Sequence, residues 1–194
     1  MSRLNKTFKT LRQAERTGLV TYVTAGDPTV ARTESILRTL DASGADVLEI
    51  GVPFSDPLAD GPVIQRASER ALAAGSTLTS TLNTLEKMRA SLKAPIVIFT
   101  YVNPILSLGV DEFGARASAA GIDGVLVLDL PVEEGTSFLD SMAKVEIDTI
   151  GLISPTTTTI RMKETVKCSR GFLYGISRLG VTGVRTELSQ DAEA

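Results

Sequence analysis

Two acidic residues in and after one apolar run are the first side chains in this sequence with chemistry in reach. The stretch is Leu48-Glu49-Ile50-Gly51-Val52-Pro53-Phe54-Ser55-Asp56-Pro57-Leu58-Ala59-Asp60-Gly61-Pro62. Glu49 lies near the C-terminal end of a run that reads as a buried strand, the end where barrel enzymes place catalytic side chains. Apolar neighbours disfavour the charged form, which predicts a pKa raised toward the range useful for proton donation near neutrality. Spacing alone equally allows a satisfied buried acid or a strand-end residue facing water. Asp56 and Asp60 follow in a proline-rich loop. Asp56, directly before Pro57, is accounted for by turn formation. Asp60 pairs with Glu49 within one strand-and-loop unit, and two carboxylates divide acid and electrostatic roles when their environments push their pKa values apart.

Composition narrows the alternatives. The 194 residues include no histidine, so Ser-His-Asp and Cys-His catalysis and histidine metal ligation are excluded. Proton transfer falls to carboxylates, Lys, Tyr or the one cysteine. Cys168 has no Cys or His neighbour at metal-ligand spacing, so no metal site is expected and a reducing compartment is. Lys plus Arg is 20 against 23 Asp plus Glu, a net charge of -3. No positive field is available to attract nucleic acid or anionic lipid. The first 17 residues carry Arg3, Lys6, Lys9, Arg12, Glu15 and Arg16 among Leu4, Phe8 and Leu11, which is no signal-peptide core. No segment approaches the roughly 20 apolar residues of a membrane span, and a cytoplasmic location is expected.

The elements that must position the carboxylates are short β-branched or aliphatic runs. They are Leu19 to Thr24, Ala45 to Ile50, Pro95 to Thr100, Gly124 to Asp129, Thr149 to Ser154 and Gly171 to Ile176. Their near-continuous apolar character predicts parallel strands covered on both faces. Helical patterns lie between them. Leu4, Phe8 and Leu11 fall at i, i+4, i+7, Ile36, Leu37 and Leu40 share a face, and Pro62 to Ala74 and Ser76 to Met88 form two helices within one unit. Ser43-Gly44-Ala45-Asp46 and Ala120-Gly121-Ile122-Asp123 open their strands in the same way, a faint internal repeat. Alternating strands and helices predict an α/β fold. Without G-x-G-x-x-G after the first strand or a phosphate-binding P-loop, a barrel is favoured over a nucleotide-binding open sheet. At roughly 30 residues per unit, against about 250 residues for eight units, the chain holds about six βα units of one barrel domain spanning 1–194. The tail from Glu187 to Ala194 reads as a helix that breaks off, so a C-terminally incomplete chain is expected.

Further polar groups collect at the expected C-terminal ends of the strands. They are Tyr22-Val23-Thr24-Ala25-Gly26-Asp27-Pro28, Tyr101 and Asn103, Asp129 before Pro131, and Tyr174 with Ser177-Arg178-Leu179-Gly180-Val181-Thr182-Gly183. The last reads as a mobile lid or an amide nest for an anion. With these motifs the chain resembles the tryptophan synthase alpha subunit family. The run from Glu49 to Pro62 carries most of the likeness, and Tyr22 to Pro28, Tyr101-x-Asn103, Asp129-x-Pro131 and Ser177 to Gly183 corroborate it.

The resemblance implies a (βα)8 TIM barrel that cleaves indole-3-glycerol phosphate to indole and glyceraldehyde 3-phosphate in tryptophan biosynthesis. It implies Glu49 as acid/base and Asp60 as acceptor of the indole N–H. It further implies Tyr22, Phe99, Tyr101, Tyr174, Thr182 and Gly183 around the substrate, and Pro53, Asp56 and Pro57 in a loop facing a beta subunit. No cofactor is implied for this chain. Pyridoxal phosphate is expected only in the beta subunit of an alpha2beta2 heterotetramer. The family holds its substrate phosphate after the seventh and eighth strands together with the Gly183 region, so weak turnover by the 194-residue chain is expected. A different class of function also fits the residues, a non-catalytic alpha-like module that docks on a beta subunit and activates it.

Overall fold

In the computed structural model, which describes residues 1–176, each predicted apolar run contains a strand, the fourth ending at Val127 where Leu128 and Asp129 turn, and all strands among the described residues pair in parallel. β1 (Val20–Thr24), β2 (Val47–Gly51), β3 (Ile96–Thr100), β4 (Gly124–Val127) and β5 (Asp148–Thr149) pair in that order. β6 (Gly151–Ile153) follows after the single residue Ile150 and pairs with β7 (Leu173–Gly175). The run expected as one strand from Thr149 to Ser154 therefore changes partner at Ile150. Its N–H still bonds to Val125 O (2.9 Å), while the next residue is glycine with the Thr165 and Ser169 side chains against its Cα.

Eight helices among the described residues separate the strands: α1 (Arg3–Gln13), α2 (Val30–Ala42), α3 (Pro62–Ala73), α4 (Leu78–Met88), α5 (Val102–Leu108), α6 (Val110–Ala119), α7 (Thr136–Lys144) and α8 (Thr159–Cys168). Local chemistry starts most of them. Ser2, Thr29 and Thr158 cap α1, α2 and α8 with their hydroxyls, and Thr77 and Ser80 cap α4 reciprocally. Pro62 occupies the first turn of α3, where its missing N–H costs nothing. α5 has no such local signal. The Asp129 carboxylate, carried in from the end of β4, accepts the Val102 N–H (2.7 Å) at its first turn.

Both faces of the strands are covered. Leu48, Ile50, Ile96, Ile98 and Val125 pack outward against Leu37, Leu82, Leu85, Ile105 and Phe113 of the helices. Val47, Val97, Leu126 and Ile150 face the interior, where Leu4 of α1 joins them. The repeated Gly-x-Asp before a strand has a structural role at the opposite end from the candidate site. Gly44 and Gly121 take positive φ (93° and 67°) after a helix end, a conformation that costs a residue with a Cβ. The acid two residues on then ties its strand to the one before it. Asp46 accepts the Leu19 N–H (2.8 Å) and Asp123 accepts the Ile96 N–H (2.8 Å). No helix among the described residues is long and apolar enough to cross a membrane.

Candidate active site

Period-two alternation on β2 sends Leu48 and Ile50 outward and Glu49 inward, level with Tyr22 on β1 and Val97 on β3. Glu49 is only 3% exposed, and its Oε1 has no hydrogen-bond partner among the described residues. Burial without a compensating donor pushes its pKa from 4.5 up to about 7. The carboxyl is thus poised to hold or release a proton near neutrality.

Asp60 arrives by a different route. The loop after β2 turns back so that Asp60 lies just ahead of α3, buried to 7% exposure, with its carbonyl accepting from Gln65 Nε2 (2.9 Å). Tyr101, at the end of β3, holds it there. The phenol donates to Asp60 Oδ2 (3.1 Å) and accepts the Ala59 N–H (3.0 Å), and its ring lies against Phe54 with centroids 5.0 Å apart. Burial raises the Asp60 pKa and the bond from Tyr101 opposes that rise. The two carboxylates therefore differ in kind, one unpartnered and proton-retaining, the other held in place by a donor.

Tyr22, Phe99 and Tyr174 form an arc of rings in the interior. Tyr22 meets Phe99 edge-on (5.3 Å, 80°), and Phe99 lies 6.2 Å from Tyr174. The Tyr22 and Tyr174 phenols each lie within electrostatic reach of both carboxylates, and burial followed by those charges raises their pKa values. Both remain neutral donors across the physiological range. The arrangement suits a flat aromatic ligand beside one proton-carrying acid and one anchored carboxylate.

The other named positions fall as follows. Pro53 is buried, Pro57 half-buried and Asp56 exposed, with Ser55 Oγ donating to Asp56 Oδ2 (2.5 Å). Leu58 beside them is 87% exposed. Asp27 is engaged by Arg70 through two bonds of 2.7 Å. Thr182 and Gly183 lie outside the described residues. A cavity of about 310 Å³ between α7 and α8, beneath Asp129–Val132, contains neither carboxylate. Among the described residues no group of three or more acids or cysteines is placed to hold a metal.

The hold of Tyr101 on the loop was not legible in the sequence, because its partners lie 41 and 42 residues away. Tyr101→Phe is expected to keep the ring on Phe54 and remove both bonds. A hydrogen bond to a charged group contributes about 1.5–3 kcal/mol, so the Asp60 pKa should rise further. Carboxyl titration by NMR reads this directly, and an unmoved Asp60 would show that the phenol does not hold the carboxylate.

Comparison with known proteins agrees with this geometry. The tryptophan synthase alpha chain family matches residues 8–194. The tryptophan synthase alpha chain of Solibacter usitatus is 49% identical over 189 residues, covering 97% of this chain and 71% of that protein. The one from Burkholderia cenocepacia is 50% identical over 184 residues, covering 94% and 68%. Among solved structures, tryptophan synthase subunit alpha from Legionella pneumophila aligns with a TM-score of 0.88 at 42% identity, over 91% of this chain and 68% of that one. A chain of Mycobacterium tuberculosis tryptophan synthase aligns with a TM-score of 0.90 at 39% identity, over 95% and 72%. A parallel α/β barrel architecture, an inward-facing acid on the second strand and this degree of likeness lead to one assignment: the chain belongs to the tryptophan synthase alpha chain family, lyases of tryptophan biosynthesis with the TIM-barrel fold.

Proposed function

We propose that Glu49 and Asp60 divide between them the aldol cleavage of indole-3-glycerol phosphate to indole and glyceraldehyde 3-phosphate. Glu49 is the acid/base. In cleavage, C3 of the indole gains a proton, the glycerol 3′-hydroxyl loses one, and the bond between the two carbons breaks to leave an aldehyde and indole. A group whose pKa lies at about 7 is suited to give and take those protons near neutrality. Asp60 accepts the indole N–H and stabilises the positive charge that develops on the ring nitrogen while C3 is protonated. Tyr22, Phe99 and Tyr174 wall the ring. This chemistry asks for no cofactor of the chain's own.

The observation that carries the reading is the buried Glu49 carboxyl with an unpartnered oxygen, accompanied by a second, tethered carboxylate, with both acids in electrostatic reach of the Tyr22 and Tyr174 phenols. The loop from Pro53 to Asp60, exposed at Asp56 and Leu58, is the surface proposed to meet a beta subunit in an alpha2beta2 assembly, with pyridoxal phosphate belonging to that partner.

The test is indole release from indole-3-glycerol phosphate, with and without a beta subunit, by the wild-type chain and Glu49→Gln. Release that vanishes in the variant supports the assignment. Release that persists in the variant refutes Glu49 as the acid/base. Stimulation of the beta subunit without any release would favour a docking module instead.

A further inference from the structure

Gly51 lies two residues beyond Glu49 on β2 and on the same face of the strand. It belongs to an inward-facing row made by Thr24, Gly51, Phe99 and Leu126 across four strands. Every member except Gly51 brings a side chain, so the row is notched at β2. Tyr22 fills the notch. Its Cα is level with Glu49, but its ring leans along and across β2 until it covers the Gly51 Cα. A Cβ on Gly51 would fall inside contact distance of three atoms of that side chain, Oη, Cζ and Cε2. From this seat the ring presents itself to Phe99 edge-on at 5.3 Å, and Thr24 Oγ1 donates to the phenol oxygen (3.4 Å).

We infer that Gly51 is a positioning residue: its missing side chain seats the Tyr22 ring against β2 and onto Phe99, keeping clear the space beside the Glu49 carboxyl where a flat aromatic ring would lie. The seat is a property of the fold, and its consequence for ligand rests on the reading of the site given above. The three nearest atoms that such a Cβ would meet all belong to the far end of the Tyr22 side chain, so it is the ring that moves. On the strand side it is blocked by Gly51 itself and laterally by Phe99 and Thr24. The remaining direction is inward from β2, on the Glu49 side of the sheet. A substitution as small as Gly51→Ala therefore fills ligand space from a position that touches no ligand.

The test is a double-mutant cycle over Gly51→Ala and Tyr22→Leu. Leucine ends before the position of Cζ, so it vacates the contested space, whereas Tyr22→Phe keeps Cζ and Cε2 and gives only partial relief. The chain contains no tryptophan, so the fluorescence of added indole reports its binding without interference. The ring seat is read separately, by an NMR Overhauser contact between the Tyr22 and Phe99 rings.

Gly51→Ala is expected to lose the ring contact and to bind indole about tenfold more weakly. The double variant should bind within about twofold of Tyr22→Leu alone. Retention of the ring contact in Gly51→Ala, or losses that simply add in the double variant, would overturn the inference. If Gly51→Ala fails to fold, recovery of the fold with Tyr22→Leu supports the seat and continued failure overturns it. A wild-type chain that takes up no indole, but loses the ring contact on Gly51→Ala, would uphold the seat and count against the functional reading.

Discussion

Glu49→Gln is expected to stabilise the folded chain at pH 8 while removing its activity. The wild-type carboxyl is buried at 3% exposure with one oxygen unpartnered, and burial moves its pKa from 4.5 to about 7. Between those two values the folded state binds more protons than the unfolded one, so stability falls as pH rises through that window. Above it, the folded protein carries the full cost of an ionised buried group, about 3 kcal/mol. Glutamine has the same shape without the charge, so the variant escapes that cost at pH 8 and gains little at pH 4, where the wild-type carboxyl is mostly protonated in both states. Denaturant unfolding of both proteins at the two pH values checks this. Parallel curves with no pH-dependent gap would mean that the carboxyl is not held in an apolar site. The same substitution removes a proton carrier, and general acid–base catalysis contributes about 10²–10⁴-fold. Opposite signs for stability and activity at one residue mark a group held in an unfavourable environment because its chemistry needs it.

The extent to which this site could be read in advance depended on whether its causes were local. Continuous runs such as Val125-Leu126-Val127 announced strands buried on both faces because nothing but burial explains them. Pro62 and the Ser76-Thr77 pair announced the two helices of the β2–β3 unit, since caps act within one turn, and the structure adds Ser80 as the reciprocal partner of Thr77. α5 had no comparable signal. It is seven residues long, contains Pro104, and takes its first-turn partner from Asp129, 27 residues on. Tyr101 is the sharpest example at the site. The resemblance implied it as a substrate contact, and the fold adds that its hydroxyl engages Ala59 and Asp60. The burial of Glu49 stands between these cases. Its place near a strand end was legible, but the depth of its environment comes from register, which sets Tyr22 and Val97 beside it.

Leu4→Ala is expected to cost about 2–5 kcal/mol, the range for truncating a fully buried leucine in a core that only partly relaxes. The sequence placed Leu4 on the apolar face of the first helix without showing what that face meets. It meets the floor of the barrel. Leu4 is fully buried, packs with Val47, Val97, Leu126 and Ile150, and reaches Gly124 and Gly171 closely enough that a Cβ at either would lie 2.9 and 3.3 Å from its Cδ1. The two glycines opposite Leu4 have no side chain to swing into the gap, so any closure falls to Val47, Val97, Leu126 and Ile150. Leu4→Met, of similar volume, should cost less than about 1.5 kcal/mol. The cavity would open beneath Val97, the register neighbour of Glu49. Cavities lined by aliphatic groups stay dry, so Glu49 should keep its raised pKa, and unfolding curves should shift downward by the same amount on either side of pH 7. A loss of stability that instead came with a flattened pH dependence would show water entering from below, and the floor built by α1 would then be what keeps the Glu49 carboxyl protonated.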